Sequence, residues 1–245
     1  MVDILQRPKY LPPLKLSKTG KRCPMTIALG MRCAGGIVIA ADELMTSSSG
    51  FKYEEEKISA LSGPGWSVLT VYSGHSGLIR EVLERVSKVL EGVSDVDLEL
   101  IRASVDQVLT ERGRDYAEME LGILFAIQIE ANPVELLKFD GKALHTADDF
   151  NCLGVGDSAL IRYLSTSIYA RHQTLSYGKN LAIYLIGSAT KYIRDCGGST
   201  DVAVLGDNGS LDYGTIGVAE RAATMERAEQ IFLRKIVETA KPWAD

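Results

Sequence analysis

The chain is poor in metal ligands and redox-paired thiols. It has three histidines and four cysteines, Cys23, Cys33, Cys152 and Cys196, with no C-x-x-C pair. That spacing offers neither a structural zinc site nor a dithiol redox centre, and no metal is expected. The thiols read as small apolar side chains kept in a reducing compartment. Also missing is any apolar run of roughly 18 residues, the length a membrane-spanning helix needs. The N-terminus lacks the apolar core of a secretory signal, so a cytoplasmic location is expected. The motifs G-x-S-x-G, G-x-x-x-x-G-K-[ST] and H-E-x-x-H are absent too, as is any repeat of solenoid length. Those absences remove the nucleophile elbow, the phosphate-cradling loop and the helical zinc-protease site.

What is present is ordinary globular composition, 46% hydrophobic and 24% charged, enough for one large domain over 26–245. The net charge of -5 conceals an asymmetry. Residues 1–25 carry six basic side chains (Arg7, Lys9, Lys15, Lys18, Lys21, Arg22), one acid, Asp3, and four of the seven prolines. The remainder has a net charge of -10. An acidic body argues against nucleic acid as a partner. The leader is basic, Pro-rich and non-periodic, without a packed fold of its own. It is read as a propeptide or a tail.

Apolar runs at Ile27–Arg32 and Gly36–Ala41, turned at Gly35-Gly36, predict a hairpin. Strands are expected at Lys57–Leu61 and Trp66–Ser73. From Ser76 the period becomes helical, with Ile79, Val82, Leu83, Val86, Val89 and Leu90 on one face. Ser94 and Asp97 form a candidate capping box for a second helix with Leu98, Ile101, Val105 and Val108 inward. Strands at Leu121–Ile129 and "VELLKFD" follow, the latter turned at Asp140-Gly141. "FNCLGVGD" is read as a strand ending in a turn. A helix carries Leu181, Leu185, Ala189 and Ile193. "DVAVL" is a strand, "DNGS" a hairpin turn, and Ala219–Thr239 a final helix with Ala228, Phe232 and Ile236 inward. Strands joined by hairpins, with helices in separate blocks, predict an α+β protein: a four-layer αββα sandwich of two antiparallel sheets.

Three polar residues mark the strand ends. Thr26 opens the first strand, Asp42 closes the second strand of the same hairpin, and Lys57 opens the next. An alcohol is a weak nucleophile and needs a base. If the bond before Thr26 is cut, the new α-amino group, with a reference pKa of roughly 8, is that base. A nearby lysine supplies a positive field and an aspartate orients it. Backbone N–H groups around Gly74, at a strand-to-helix turn, can form an oxyanion hole. His75 reads as a turn residue, and a Ser-His-Asp triad has no specific support.

The stretch "TIALGMRCAGGIVIAADELMT" resembles the opening of a proteasome β-type subunit, one of the N-terminal-nucleophile hydrolases. The resemblance resumes at "EEKISAL", "VYSGHSG", "LGVGDSALIRYL", "IRDCGG" and "DVAVLGDNGSL". It implies the N-terminal-nucleophile hydrolase fold and a threonine endopeptidase, autoprocessed to expose Thr26. Thr26 is then the nucleophile, Asp42 and Lys57 the acid and lysine of the family pattern, Gly74 the oxyanion-hole glycine and Asp195 the supporting aspartate. Thr46 would hydrogen-bond the substrate backbone, and Met45 and Tyr72 would line an apolar pocket. The resemblance further implies no cofactor, peptide or unfolded-protein substrates, and ring-forming assembly as a homo-oligomer or with other proteasome-like subunits.

The chain departs from the pattern at Met25, where the family carries glycine, and at Val155, where it carries serine. The loop after Asp195 is shorter, with Ser199 as the available serine. Those departures are what a non-catalytic ring-forming subunit with a retained N-terminal extension would show. A third reading keeps the nucleophile and assigns it a non-protein amide substrate.

Overall fold

A computed structural model describes residues 26–46, 50–74, 76–90, 93, 96–112, 121–140, 143–154, 159–193 and 196–240. The leader, His75, Ser94, Gly141, Val155 and Asp195 lie outside the described residues. Along the chain come β1 (Ile27–Cys33), β2 (Gly36–Asp42), β3 (Leu44–Thr46), β4 (Lys52–Glu54), β5 (Ile58–Gly63) and β6 (Trp66–Ser73). Helices α1 (Ser76–Leu90) and α2 (Leu98–Arg112) precede β7 (Gly122–Ile129), β8 (Glu135–Phe139), β9 (Leu144–Thr146) and β10 (Phe150–Gly154). Helices α3 (Ala159–Ile168) and α4 (Leu175–Tyr192), strands β11 (Thr200–Gly206) and β12 (Leu211–Ile216), and helix α5 (Val218–Ala240) complete the described chain.

Two five-stranded sheets run in the orders β10-β1-β2-β11-β12 and β5-β6-β7-β8-β9, with β3 and β4 forming a separate ladder. Every ladder between these strands is antiparallel. β2 reads GIVIAAD and is buried at every position. A strand covered on both faces needs an unbroken apolar run, not an alternating one.

Neighbouring residues of one strand feed different cores. Leu29, Met31 and Ala40 pack with Leu181, Leu185 and Ala189 of α4. Ala28, Ile37 and Ile39 pack with Leu69, Val71, Leu124 and Leu136 of the other sheet. On the far side of that second sheet, Val68, Tyr72, Phe125 and Ile127 meet Ile79, Val82, Val86, Ile101 and Val105 from α1 and α2. Each fully buried Val, Leu, Ile, Phe or Met among them contributes roughly 1.5–3 kcal/mol from burial alone.

The predicted elements shift in detail. Val89 is 37% exposed, because Ile79, Val82, Val86 and Leu90 already fill the inner stripe of α1. Asp97 caps α2, accepting from Leu100 N–H at 2.7 Å. The stretch after "GVGD" forms a helix of its own, α3. α4 stops at Tyr192, so Ile193 is extended and not helical. A β3–β4 ladder stands between the first hairpin and Lys57, where the sequence analysis places no strand. On α5, Arg221 and Met225 are buried and Ala228 is half-buried, while the side chains of Phe232 and Ile236 lie outside the described residues. Met225 keys into α4 at Gly187, where a Cβ would come within 2.1 Å of the Met225 sulfur.

Candidate active site

Thr26 lies at the mouth of β1 and is 1% exposed. Its neighbour Ile27 donates its N–H to Asp42 Oδ1 at 3.1 Å, so the β1–β2 pairing carries the carboxylate to the start of β1. Lys57, just before β5, donates to the same Oδ1 at 2.8 Å and to the Leu44 carbonyl at 2.7 Å. Gly197 N–H donates to Asp42 Oδ2 at 3.0 Å. Asp42 thus accepts from three donors in a site where its side chain and that of Lys57 are wholly shut from solvent. Burying either charge alone costs several kcal/mol, and only this contact with its surrounding hydrogen bonds makes the arrangement tolerable.

Burial pushes the Asp42 carboxyl above its usual range, against the pull of Lys57 and the Gly197 and Ile27 N–H groups. Burial likewise pushes the Lys57 ammonium below its usual range, opposed chiefly by Asp42. The two desolvations are offset by one contact, which ties the charge state of each group to the other.

Around Thr26 the chain is tightly packed. The hydroxyl contacts the Met45 sulfur at 3.8 Å. β10 pairs with β1 so that Gly154 faces Ile27. A Cβ on Gly154 would stand 2.1 Å from the Thr26 carbonyl oxygen and 2.6 Å from the Ser73 hydroxyl, and its φ is +62°. Only glycine fits that conformation and that approach without strain. Gly74, buried with φ +120°, follows Ser73, the last residue of β6.

The structure therefore gathers Asp42 and Lys57 into one ion pair next to the chain start of β1, with Met45 against Thr26. Thr46 follows in β3, and its buried hydroxyl has no hydrogen-bond partner among the described residues. Tyr72 sits with the outer core, on the helix-facing side of β6, while Leu69 and Val71 face the other sheet. Its hydroxyl donates to the Glu56 carbonyl at 3.2 Å, one residue before Lys57. Asp195 lies outside the described residues. Sequence reasoning missed Gly197 and the Leu44 carbonyl, which act through main-chain atoms and leave no side-chain signature. It also missed Ser73, which reads simply as the end of an apolar strand. Among the described residues no group of three or more His, Cys, Asp or Glu is placed to hold a metal ion. None of the described helices is long and apolar enough to cross a membrane.

Solved structures share this architecture. A mutant of Anbu from Hyphomicrobium sp. strain MC1 superposes with a TM-score of 0.75 at 14% identity, over 86% of this chain and 96% of the other. Anbu, an ancestral beta-subunit, from Yersinia bercovieri gives 0.72 at 14% identity, over 86% and 97%. A helical assembly of the Anbu complex from Pseudomonas aeruginosa gives 0.70 at 15% identity, over 87% and 96%. The fold is proteasome-like. The family model described as "Proteasome subunit" matches residues 25–205, and the chain belongs to that family. No curated protein sequence matches it.

Proposed function

We propose that this chain is a threonine endopeptidase of a ring-forming, proteasome-like particle in the cytoplasm, activated by cleavage of the Met25–Thr26 bond. The observation that carries the reading is the solvent-free Lys57–Asp42 pair tied to the N–H of the residue after Thr26. A buried ion pair is a costly way to stabilise a fold, since packed apolar residues do as well or better. A positive group fixed at the start of a strand suits the activation of a hydroxyl.

In the proposed reaction, the freed α-amino group of Thr26 takes the Oγ1 proton as Oγ1 attacks the substrate carbonyl carbon. Lys57 favours the developing alkoxide and Asp42 holds Lys57 in place. The Gly74 N–H receives the negative oxygen of the tetrahedral intermediate. Collapse breaks the scissile C–N bond, with the amine leaving as the proton passes to it, and leaves an ester on Thr26. Water then attacks that ester and releases the acid. Asp195 is assigned the supporting role beside the nucleophile that the family resemblance implies. β3 is laddered with β4 on one side. The substrate is proposed to add along the opposite edge at Thr46, with Met45 at the pocket wall; Tyr72, whose side chain packs against α1 and α2, is left out of that pocket. The cores between the two sheets and outside each of them support the four-layer αββα reading.

A panel of unfolded proteins, peptides and small amides, incubated with the parent and with Thr26→Ala, tests this. Peptide cleavage by the parent alone supports it. Turnover of small amides alone supports the non-protein amidase. Equal cleavage by both proteins overturns any role for Thr26. The competing reading is a non-catalytic subunit, favoured by Met25 in place of glycine before Thr26. No turnover by the assembled parent supports that reading.

A further inference from the structure

Beside the Asp42–Lys57 pair lies a third charged side chain that the proposed reaction does not use. Arg221, in the first turns of α5, is 6% exposed. Its Nη1 donates to the Gly198 carbonyl at 2.8 Å and to Thr200 Oγ1 at 2.9 Å, both neutral acceptors. Thr200 stands opposite Asp42 in the β11–β2 ladder. The 197–199 segment that Arg221 grips is stitched to the strand after Asp42. Leu44 N–H donates to the Gly197 carbonyl at 3.1 Å, and Glu43 N–H to the Ser199 carbonyl at 3.2 Å. The same segment sends the Gly197 N–H to Asp42 Oδ2.

A fully exposed arginine could supply these bonds only weakly, because its side chain would be free to move. Here α5 fixes it. Met225, one turn along the same face, is locked into the Gly187 slot of α4. Burial lowers the affinity of the Arg221 guanidinium for its proton, and the nearby Asp42 carboxylate opposes that. The attraction is mutual, so the guanidinium also favours charge on Asp42.

We propose that Arg221 is a positioning residue for the Asp42–Lys57 pair, clamping the 197–200 segment so that Gly197 N–H stays on Asp42 and adding a buried positive charge near that carboxylate. The assignment rests on the reading of this pair as part of a catalytic set. The groups around Asp42 include Lys57 before β5, Arg221 from α5, Glu43 next in the chain, and the buried Asp201 of β11, which acts on Glu43. Cys196 adjoins Lys57, and Glu54 of β4 lies against Gly198. None of these others is altered in the test.

The test uses the full chain with Thr26→Ala, so that processing and turnover play no part. NMR follows the Asp42 carboxyl carbon against pH, together with the Gly197 amide. In Arg221→Met the Asp42 midpoint is expected to rise, and the Gly197 amide resonance to shift. Arg221→Lys keeps the charge and is expected to hold the midpoint near the parent's while the Gly197 amide still moves. If Arg221→Met does not fold, Arg221→Gln takes its place. A folded uncharged variant whose Asp42 midpoint and Gly197 amide are unmoved overturns the proposal. With Thr26 restored, an active parent is expected to lose at least tenfold in kcat with little change in KM when Arg221 becomes Met, and unchanged kcat there also overturns it. If the parent has no peptidase activity, that failure belongs to the peptidase reading, and the Asp42 titration alone decides the role of Arg221.

Discussion

The Lys57 ammonium lies 2.8 Å from the Asp42 carboxylate, with both side chains wholly excluded from solvent. The two residues stand at the ends of strands from different sheets. Asp42 ends β2 and Lys57 precedes β5, so the pair forms only when both sheets are in place. It is at once a tertiary lock and the electrostatic centre of the candidate site.

Removing one partner strands the other. Lys57→Ala leaves a buried carboxylate with only backbone donors, and it is expected to cost about 3–5 kcal/mol of stability. Urea unfolding monitored by circular dichroism measures this. A loss under about 1 kcal/mol, the scale of an exposed pair, would mean that water reaches the site freely.

Gly154→Ala is expected to destabilise the protein by about 1–3 kcal/mol from backbone strain alone. The clash with the Thr26 carbonyl adds to that cost and displaces Thr26. Thermal unfolding checks the first effect. Loss of processing at Thr26 in whatever fraction remains folded checks the second.

The Cys33 thiol is pushed up by burial, from 9.0 to about 11. A raised folded-state value means that the associated stability is fully present below about pH 9 and is lost as pH rises through about 11. At pH 8 the thiol is protonated and unreactive. Iodoacetamide at that pH is expected to leave Cys33 unlabelled in the folded protein and to label it after denaturation, as peptide mass spectrometry would read. Rapid labelling of the native protein would contradict the burial.

Thr26→Ser keeps an oxygen nucleophile and, after processing, an α-amino base. It is expected to retain measurable peptide hydrolysis, reduced from the parent, whereas Thr26→Ala has none. Initial rates on one fluorogenic peptide compare the three proteins. Equal rates for the alanine variant and the parent would remove Thr26 from the chemistry.

Much of this was legible in the sequence because it is written in side-chain patterns. The β1–β2 hairpin announces itself in two apolar runs around Gly35-Gly36, and α1 and α2 in their helical stripes. Asp42 and Lys57 were legible as a pair from their positions at strand ends. The β3–β4 hairpin was not. Its three-residue strands are too short for a period, and Lys52–Glu54 is exposed throughout. α3 was hidden for a related reason, since only Ile161 and Ser165 of its ten residues are buried. Gly197 and the Leu44 carbonyl contribute main-chain atoms, which any residue carries. Arg221 reads as one more surface charge on an amphipathic helix. Only the packing of α5 on α4 reveals that it points inward.

The most direct test of the central claim is the intact mass and N-terminal sequence of the purified protein beside its Thr26→Ala variant. The account predicts that the parent begins at Thr26 and that the variant keeps Met1–Met25. If both keep the leader, the amino-group base never forms, and the account of Thr26 as a self-exposed nucleophile is contradicted.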